Sequence, residues 1–227
     1  MYQIFDPENK FWQFIGKITD VFCMSILWFL TSIPVFTIGA STTAFYEFTI
    51  NQVKNTEGSL CKSYFRSFKK HFKKATILWI IQLSGLSFFL LDMWAAWNFL
   101  ISRGGVPGVF IFGFCACITI IFLSCCYYIY PTLALYDFPI KKLITNSFVM
   151  AVGNLPVTIT LVVMSIILGA LLFYMSGLFF FWFGLFVFFS SYFIFGVFMK
   201  YTEKDEEDKK AATVKSGSKN DDEKWLI

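Results

Sequence analysis

Charge is scarce in this chain: Asp, Glu, Lys and Arg make up only 15% of its 227 residues, against about 25% in soluble domains. Histidine is scarcer still, with His71 the only one. The six cysteines, Cys23, Cys61, Cys115, Cys117, Cys125 and Cys126, form no Cys-x-x-Cys pair. Five of them sit in apolar segments, where a free cysteine behaves as a small hydrophobe. A structural zinc site takes about four converging nitrogen or sulfur ligands. No metal or other cofactor is therefore expected, and the spacing supports no disulfide framework. Acid–base and nucleophilic chemistry need a tuned base beside an acid or nucleophile. Asp20, Glu47, Asp92 and Asp137 are scattered instead, and no carboxylate pair shares a span, so the chain does not read as an enzyme. Arg103-Gly104-Gly105-Val106-Pro107-Gly108 has the glycines of a phosphate loop but lacks the following Lys-Ser/Thr. It reads as a tight external turn. The basic patch described below carries no nucleic-acid reading motif, so no nucleic-acid partner is expected.

What is abundant is apolar and aromatic. Hydrophobic residues make up 57% of the chain, with 31 Phe and 7 Trp, and the mean hydropathy is +0.64. A soluble domain of this length could not hide so much apolar surface, whereas a bilayer accepts it. The organising stretch runs from Cys23 to Phe48 and overlaps an uncharged run of twenty-six residues between Asp20 and Glu47. A helix needs roughly 20 apolar residues to cross a bilayer, so this run is long for one crossing and short for two. Pro34 breaks its helical ladder and Gly39 loosens the chain again. Broken backbone at membrane depth survives only inside protein, so the break is expected at the buried centre of a bundle. Before it, Asp6-Pro7 reads as a helix cap, and Phe11, Phe14, Ile15, Ile18 and Phe22 recur at helical spacing. The N-terminal stretch does not read as a cleavable signal. Residues 37–53, only mildly apolar, leave two readings open. They end a kinked single span, giving five crossings, or form a short protein-buried return helix, giving six.

Residues 54–74 carry seven cations against the single carboxylate Glu57, a net charge of +6. Such loops face the cytoplasm. Within them, Leu60, Tyr64, Phe68 and Phe72 recur every fourth residue, while Lys62, Arg66, Lys69, Lys70 and Lys73 cover the rest. The pattern over 59–74 predicts an amphipathic helix lying in the membrane surface, with Phe65, Arg66, Phe68, Lys69 and Lys70 offering a docking face. Further spans are expected at about 76–99, 108–130, 143–174 and 178–199. Asp92 is the one carboxylate inside a predicted span, and an intramembrane ionisable group is a functional candidate. Its simpler role is an interfacial residue paired with Arg103. Asn146 and Asn154, eight residues apart, fall on nearly one helical face just before Pro156, which would end or kink that helix. They are candidates for interhelical hydrogen bonding or a polar ligand path. Residues 201–227 break from this composition and read as a disordered, charged, cytoplasmic tail. The fold class is all-α: a polytopic transmembrane helix bundle of five to six spans with one amphipathic interfacial helix.

Several blocks carry a family resemblance. They are Leu27-Trp28, Ile33-Pro34-Val35, Thr37-Ile38-Gly39-Ala40, Thr42-Thr43-Ala44-Phe45-Tyr46, Phe65-Arg66-Ser67-Phe68, Leu135-Tyr136-Asp137, Asn146-Ser147-Phe148 and Gly153-Asn154-Leu155-Pro156. Together they resemble the YesL-like family, small integral membrane proteins of Gram-positive bacteria with no established biochemical activity. The resemblance covers roughly residues 10–200 and implies association with carbohydrate ABC importers. The expected function is thus an accessory or assembly subunit, with the bilayer and ABC permease subunits as partners. The alternative is a stand-alone sugar-type transporter.

Overall fold

The computed structural model describes residues 10–54, 56, 58–103, 105–174 and 181–202. The Asp6-Pro7 cap and all but the first two residues of the 201–227 tail lie outside the described residues. Within them the elements are α1 (Lys10–Ser32), a 3-10 turn (Val35–Thr37), α2 (Ile38–Val53), α3 (Leu60–Arg103), α4 (Gly105–Leu135), α5 (Ile140–Gly153) and α6 (Leu155–Tyr174). A seventh helix, α7, spans Phe181–Thr202. No strand occurs among the described residues, so the molecule is an all-α bundle.

α1 and α2 form an antiparallel hairpin. The Lys17 ammonium donates to the Gln52 carbonyl at 3.2 Å near one end, and the Trp28 indole N–H donates to the Thr42 hydroxyl at 3.1 Å nearer the tip. This is the return-helix arrangement, and it places Lys17 at the same end of the hairpin as Lys54. α2 has 16 residues, about 24 Å at 1.5 Å per residue, too short to span a bilayer by itself. Among the described residues four helices are long and apolar enough to cross, at Ile15–Ser32, Leu60–Ser102, Gly105–Leu135 and Phe181–Thr202. A fifth span results if α5 and α6, bent by 94° at their junction, are counted together.

The buried centre is α2 and not the Pro34 break, contrary to expectation. Ile33, Val35 and Phe36 are 66%, 62% and 55% exposed, whereas burial begins at Thr37 and continues through α2. The loop can stay outside because Thr37 satisfies its backbone locally. The Thr37 N–H donates to the Pro34 carbonyl, and its hydroxyl lies 2.5 Å from the carbonyls of both Thr31 and Pro34. α2 can go inside because its polar groups pair with their own helix. Ser41, Thr43 and Thr49 each bond the carbonyl four residues back, at 2.8–3.1 Å. Its outward hydroxyls reach α7, with Tyr46 on Ser190 at 3.0 Å and Thr49 on Ser191 at 2.7 Å. Small side chains and paired hydroxyls are what membrane helix interfaces use in place of a hydrophobic driving force.

Gly39 also plays a different part from the loosening expected of it. It is the second residue of α2, and a Cβ there would stand 2.6 Å from the Ala75 carbonyl oxygen and 2.9 Å from the Trp79 Cβ. Glycine is needed for close approach of α2 to α3. At Pro156 the expectation holds. Proline cannot donate to the carbonyl four residues before it, and the helix breaks at Asn154 with φ −126° and ψ 54°. The span expected over 143–174 is therefore two helices at a near right angle.

α3 has 44 residues, about 66 Å long. Its outer half touches mainly α4, through pairs such as Phe89–Phe122 at 4.8 Å and Trp97–Phe112 at 5.7 Å. Gly105, at φ +78°, accommodates the turn that reverses the chain, and Pro107 sits in the first turn of α4, where its missing N–H is harmless. Gly39→Leu is expected to overpack the α2–α3 contact and cost about 1–3 kcal/mol. Thermal melts in detergent check this, with Gly113→Leu as the control, since a Cβ at Gly113 meets nothing within 4 Å.

Candidate functional site

The basic segment is not a separate helix in the membrane surface. Residues 60–74 are the first four turns of α3 and run without interruption into its apolar part. One continuous helix cannot both lie in the surface and cross, so the in-plane reading fails. Its aromatic side meets protein. Tyr64, Ser67, His71, Ala75 and Leu78, at the three- and four-residue spacing of one helical face, are all at most 3% exposed. The Tyr64 hydroxyl bonds the Thr31 hydroxyl at 2.5 Å, and Phe68 packs between Tyr64 and Phe72. Phe68 is thus half-buried, whereas Phe65 is 44% exposed beside Lys62, Arg66, Lys69 and Lys70, which all face outward. Of the five residues expected to form a docking face, Phe65, Arg66, Lys69 and Lys70 thus point outward and Phe68 does not.

Behind this face lies a hydrogen-bonded Glu–His pair that the sequence did not announce. The Glu47 carboxylate of α2 is 3.0 Å from the His71 imidazole of α3, with side chains 18% and 1% exposed. Burial pushes the Glu47 carboxyl up, but the His71 hydrogen bond, the Lys70 charge and the Ser67 hydroxyl together hold it below the usual carboxylate range. At the same end Lys74 pairs with Asp137 in the α4–α5 loop. That hydrogen bond and charge hold the exposed Asp137 carboxyl below its ordinary value.

Beyond that loop a groove of about 330 Å³ opens between α5 and the end of α7. The Tyr136 and Phe138 rings stack at 5.1 Å with a 5° tilt, and the Lys142 ammonium lies 4.3 Å over the Phe138 ring. Asn146 lines the groove, as does Tyr201. Asn154 is buried at the helix break and donates to the Met150 carbonyl at 3.2 Å and the Tyr201 hydroxyl at 3.1 Å. Asn146 and Tyr201 thus line one groove and Asn154 bonds Tyr201 behind it, although the sequence reading places residue 201 in the charged tail. Nothing local in the sequence links residue 201 to residue 154, since their contact depends on how α7 returns.

Asp92 is not part of this groove. It is half-buried on the α3–α4 arm, with the Cys115 thiol of α4 as its hydrogen-bonding neighbour. Cys115 and Tyr136 are separated by about 30 Å of helix. The Arg103 side chain, its expected partner, lies outside the described residues. Among the described residues no three of His, Cys, Asp and Glu cluster closely enough to hold a metal ion.

Comparison with known proteins adds the following. Residues 21–93 match the family model described as "Protein of unknown function, DUF624". The chain is similar to "Uncharacterized protein YesL" of Bacillus subtilis (strain 168), at 24% identity over 160 residues, covering 70% of this chain and 73% of that protein. No solved structure matches. The family segment starts within α1 and ends in the outer half of α3, so it contains the hairpin, the Glu47–His71 pair and the basic face.

Removing the histidine would take from the buried Glu47 carboxylate its closest hydrogen-bond partner. His71→Ala is expected to destabilise the protein by about 1–3 kcal/mol, measured by thermal melting in detergent. Because the folded-state pKa of Glu47 is depressed, its contribution is present above the unfolded value and is lost as pH falls through the folded one. The wild-type melting temperature should therefore fall on acidification, while Glu47→Gln should start lower and lack that acid limb.

Proposed function

For a YesL-like protein of the DUF624 family, we propose the role of an integral-membrane accessory or assembly subunit whose partner is the permease of a carbohydrate ABC importer. The observation that carries this reading is the basic face of α3. Its inner side is locked into the core by Tyr64, Ser67 and His71, so Arg66, Lys69, Lys70 and Phe65 stand outward on a rigid helix. Pre-organised charge on a rigid element loses little freedom on docking, and a cationic patch steers an acidic partner surface. With the neighbouring Lys54, Lys62, Lys73 and Lys74, this end of the molecule concentrates the positive charge that retains such loops in the cytoplasm. The basic loop and tail are accordingly assigned to the cytoplasmic side of the cell membrane.

A second reading, a stand-alone transporter, draws on one observation: the α5–α6 pair is broken and bent at Asn154. Discontinuous helices frame the substrate sites of many carriers.

A mild-detergent pull-down of the tagged protein from native membranes, followed by mass spectrometry, tests the choice. Stoichiometric ABC permease subunits are expected with the wild-type protein. They should be lost when Arg66, Lys69 and Lys70 are all changed to Glu, with membrane insertion unchanged. Recovery of the protein alone, together with substrate uptake that depends on Asn146, would establish the carrier reading instead.

A further inference from the structure

The groove at the α5–α6 elbow has a chemistry that partner docking on α3 does not use. Three hydrogen-bond donors converge on it. Lys142 has no carboxylate partner, and the Asn146 amide has no protein hydrogen bond, among the described residues. Tyr201 accepts its hydrogen bond from Asn154, which leaves the phenol's own hydrogen free to donate. The backbone is shaped to admit that phenol, because a Cβ on Gly153 would stand 2.7 Å from the Tyr201 oxygen. Asp137, the carboxylate of the adjoining loop, is turned to Lys74 and does not occupy the groove. A cation, an amide and a phenol together select an anionic oxygen group.

The groove does not end there. Val149 lines its floor, and one helical turn along α5 Val152 opens a second groove of about 220 Å³ between α4 and α6. Ile121, Leu155, Ile159 and Val163 line this second space, which is apolar almost throughout. A polar, cationic compartment thus adjoins a narrow apolar one, at the elbow where α5 turns into α6. That is the shape of an amphiphile with a charged head and a long chain.

We propose that the elbow binds one anionic phospholipid, with its phosphate on Lys142, Asn146 and Tyr201 and an acyl chain in the α4–α6 groove. Asn154 acts as a positioning residue that holds Tyr201. The site is independent of the docking face on α3.

The test uses the delipidated full-length protein in a neutral detergent, with native mass spectrometry and thermal shift as readouts. The probes are phosphatidylglycerol, dioleoylglycerol and inorganic phosphate. One phosphatidylglycerol should be retained and raise the melting temperature, while dioleoylglycerol and inorganic phosphate should not. Changing Lys142 and Asn146 together to Ala should weaken binding roughly tenfold or more, and Lys141→Ala should leave it unchanged. Tyr201→Phe keeps the ring and removes the hydroxyl, both the donor to the phosphate and the acceptor for Asn154, so it should weaken binding even if the double variant fails to fold. Val152→Trp should block the lipid by filling the apolar groove. Reversing Arg66, Lys69 and Lys70 should leave the lipid count at one, which separates this site from partner docking. Equal retention of dioleoylglycerol, displacement by inorganic phosphate at equal affinity, or unaltered binding in the Lys142/Asn146 and Tyr201 variants would overturn the proposal.

Discussion

The arrangement depends on a short, polar helix being buried at the centre of an otherwise apolar protein. α2 carries Ser41, Thr42, Thr43, Thr49 and Gln52 into the interior, all at most 8% exposed. An unpaired polar group in such surroundings costs several kcal/mol. The fold meets this constraint by bonding most hydroxyls to the preceding turn and turning the rest toward α1 and α7. The same small side chains that make those bonds keep the helix narrow. α3 can therefore come close enough at Gly39 for backbone to touch backbone, and α1, α4 and α7 pack around the remaining sides.

From that central contact the placement of charge follows. Because α2 lies against the first turns of α3, Tyr64, Ser67 and His71 turn inward, and the lysines and Arg66 have only the outward side left. The Glu47–His71 pair is the one place where a charge is carried into the contact, and it is compensated there by a partner. A helix that would otherwise rest its aromatic residues on lipid headgroups instead becomes the stem of a 44-residue rod. The rigidity of the basic face and the burial of its aromatic residues are the same fact seen from two sides.

The elbow between α5 and α6 works by a related economy of backbone. Pro156 removes one donor, the ladder opens at Asn154, and the freed geometry is closed by Asn154 itself and by Tyr201 arriving from α7. A local break thereby becomes a polar corner beside lipid-facing surface, on which Lys142 and Asn146 also converge. The α3–α4 arm contrasts with it, since aromatic contacts hold it together and Asp92 neighbours the Cys115 thiol there.

Much of this was legible in the chain itself. Hydrophobic runs of bilayer length, the concentration of Lys and Arg in one loop, and the prolines at 34 and 156 determined a helical membrane protein, its charged end and its break points. These are local properties, set by transfer free energy and by the donor that proline lacks. What the sequence could not specify was which side of each break faces protein. Pro34 looked central and proved exposed, while Phe68 looked lipid-facing and proved half-buried, because helical periodicity identifies a face without saying what covers it. The Glu47–His71 pair and the Asn154–Tyr201 bond join residues 24 and 47 positions apart. Such pairings arise only when whole helices pack, since the distances they close are fixed by interhelical geometry and by no property of the neighbouring residues.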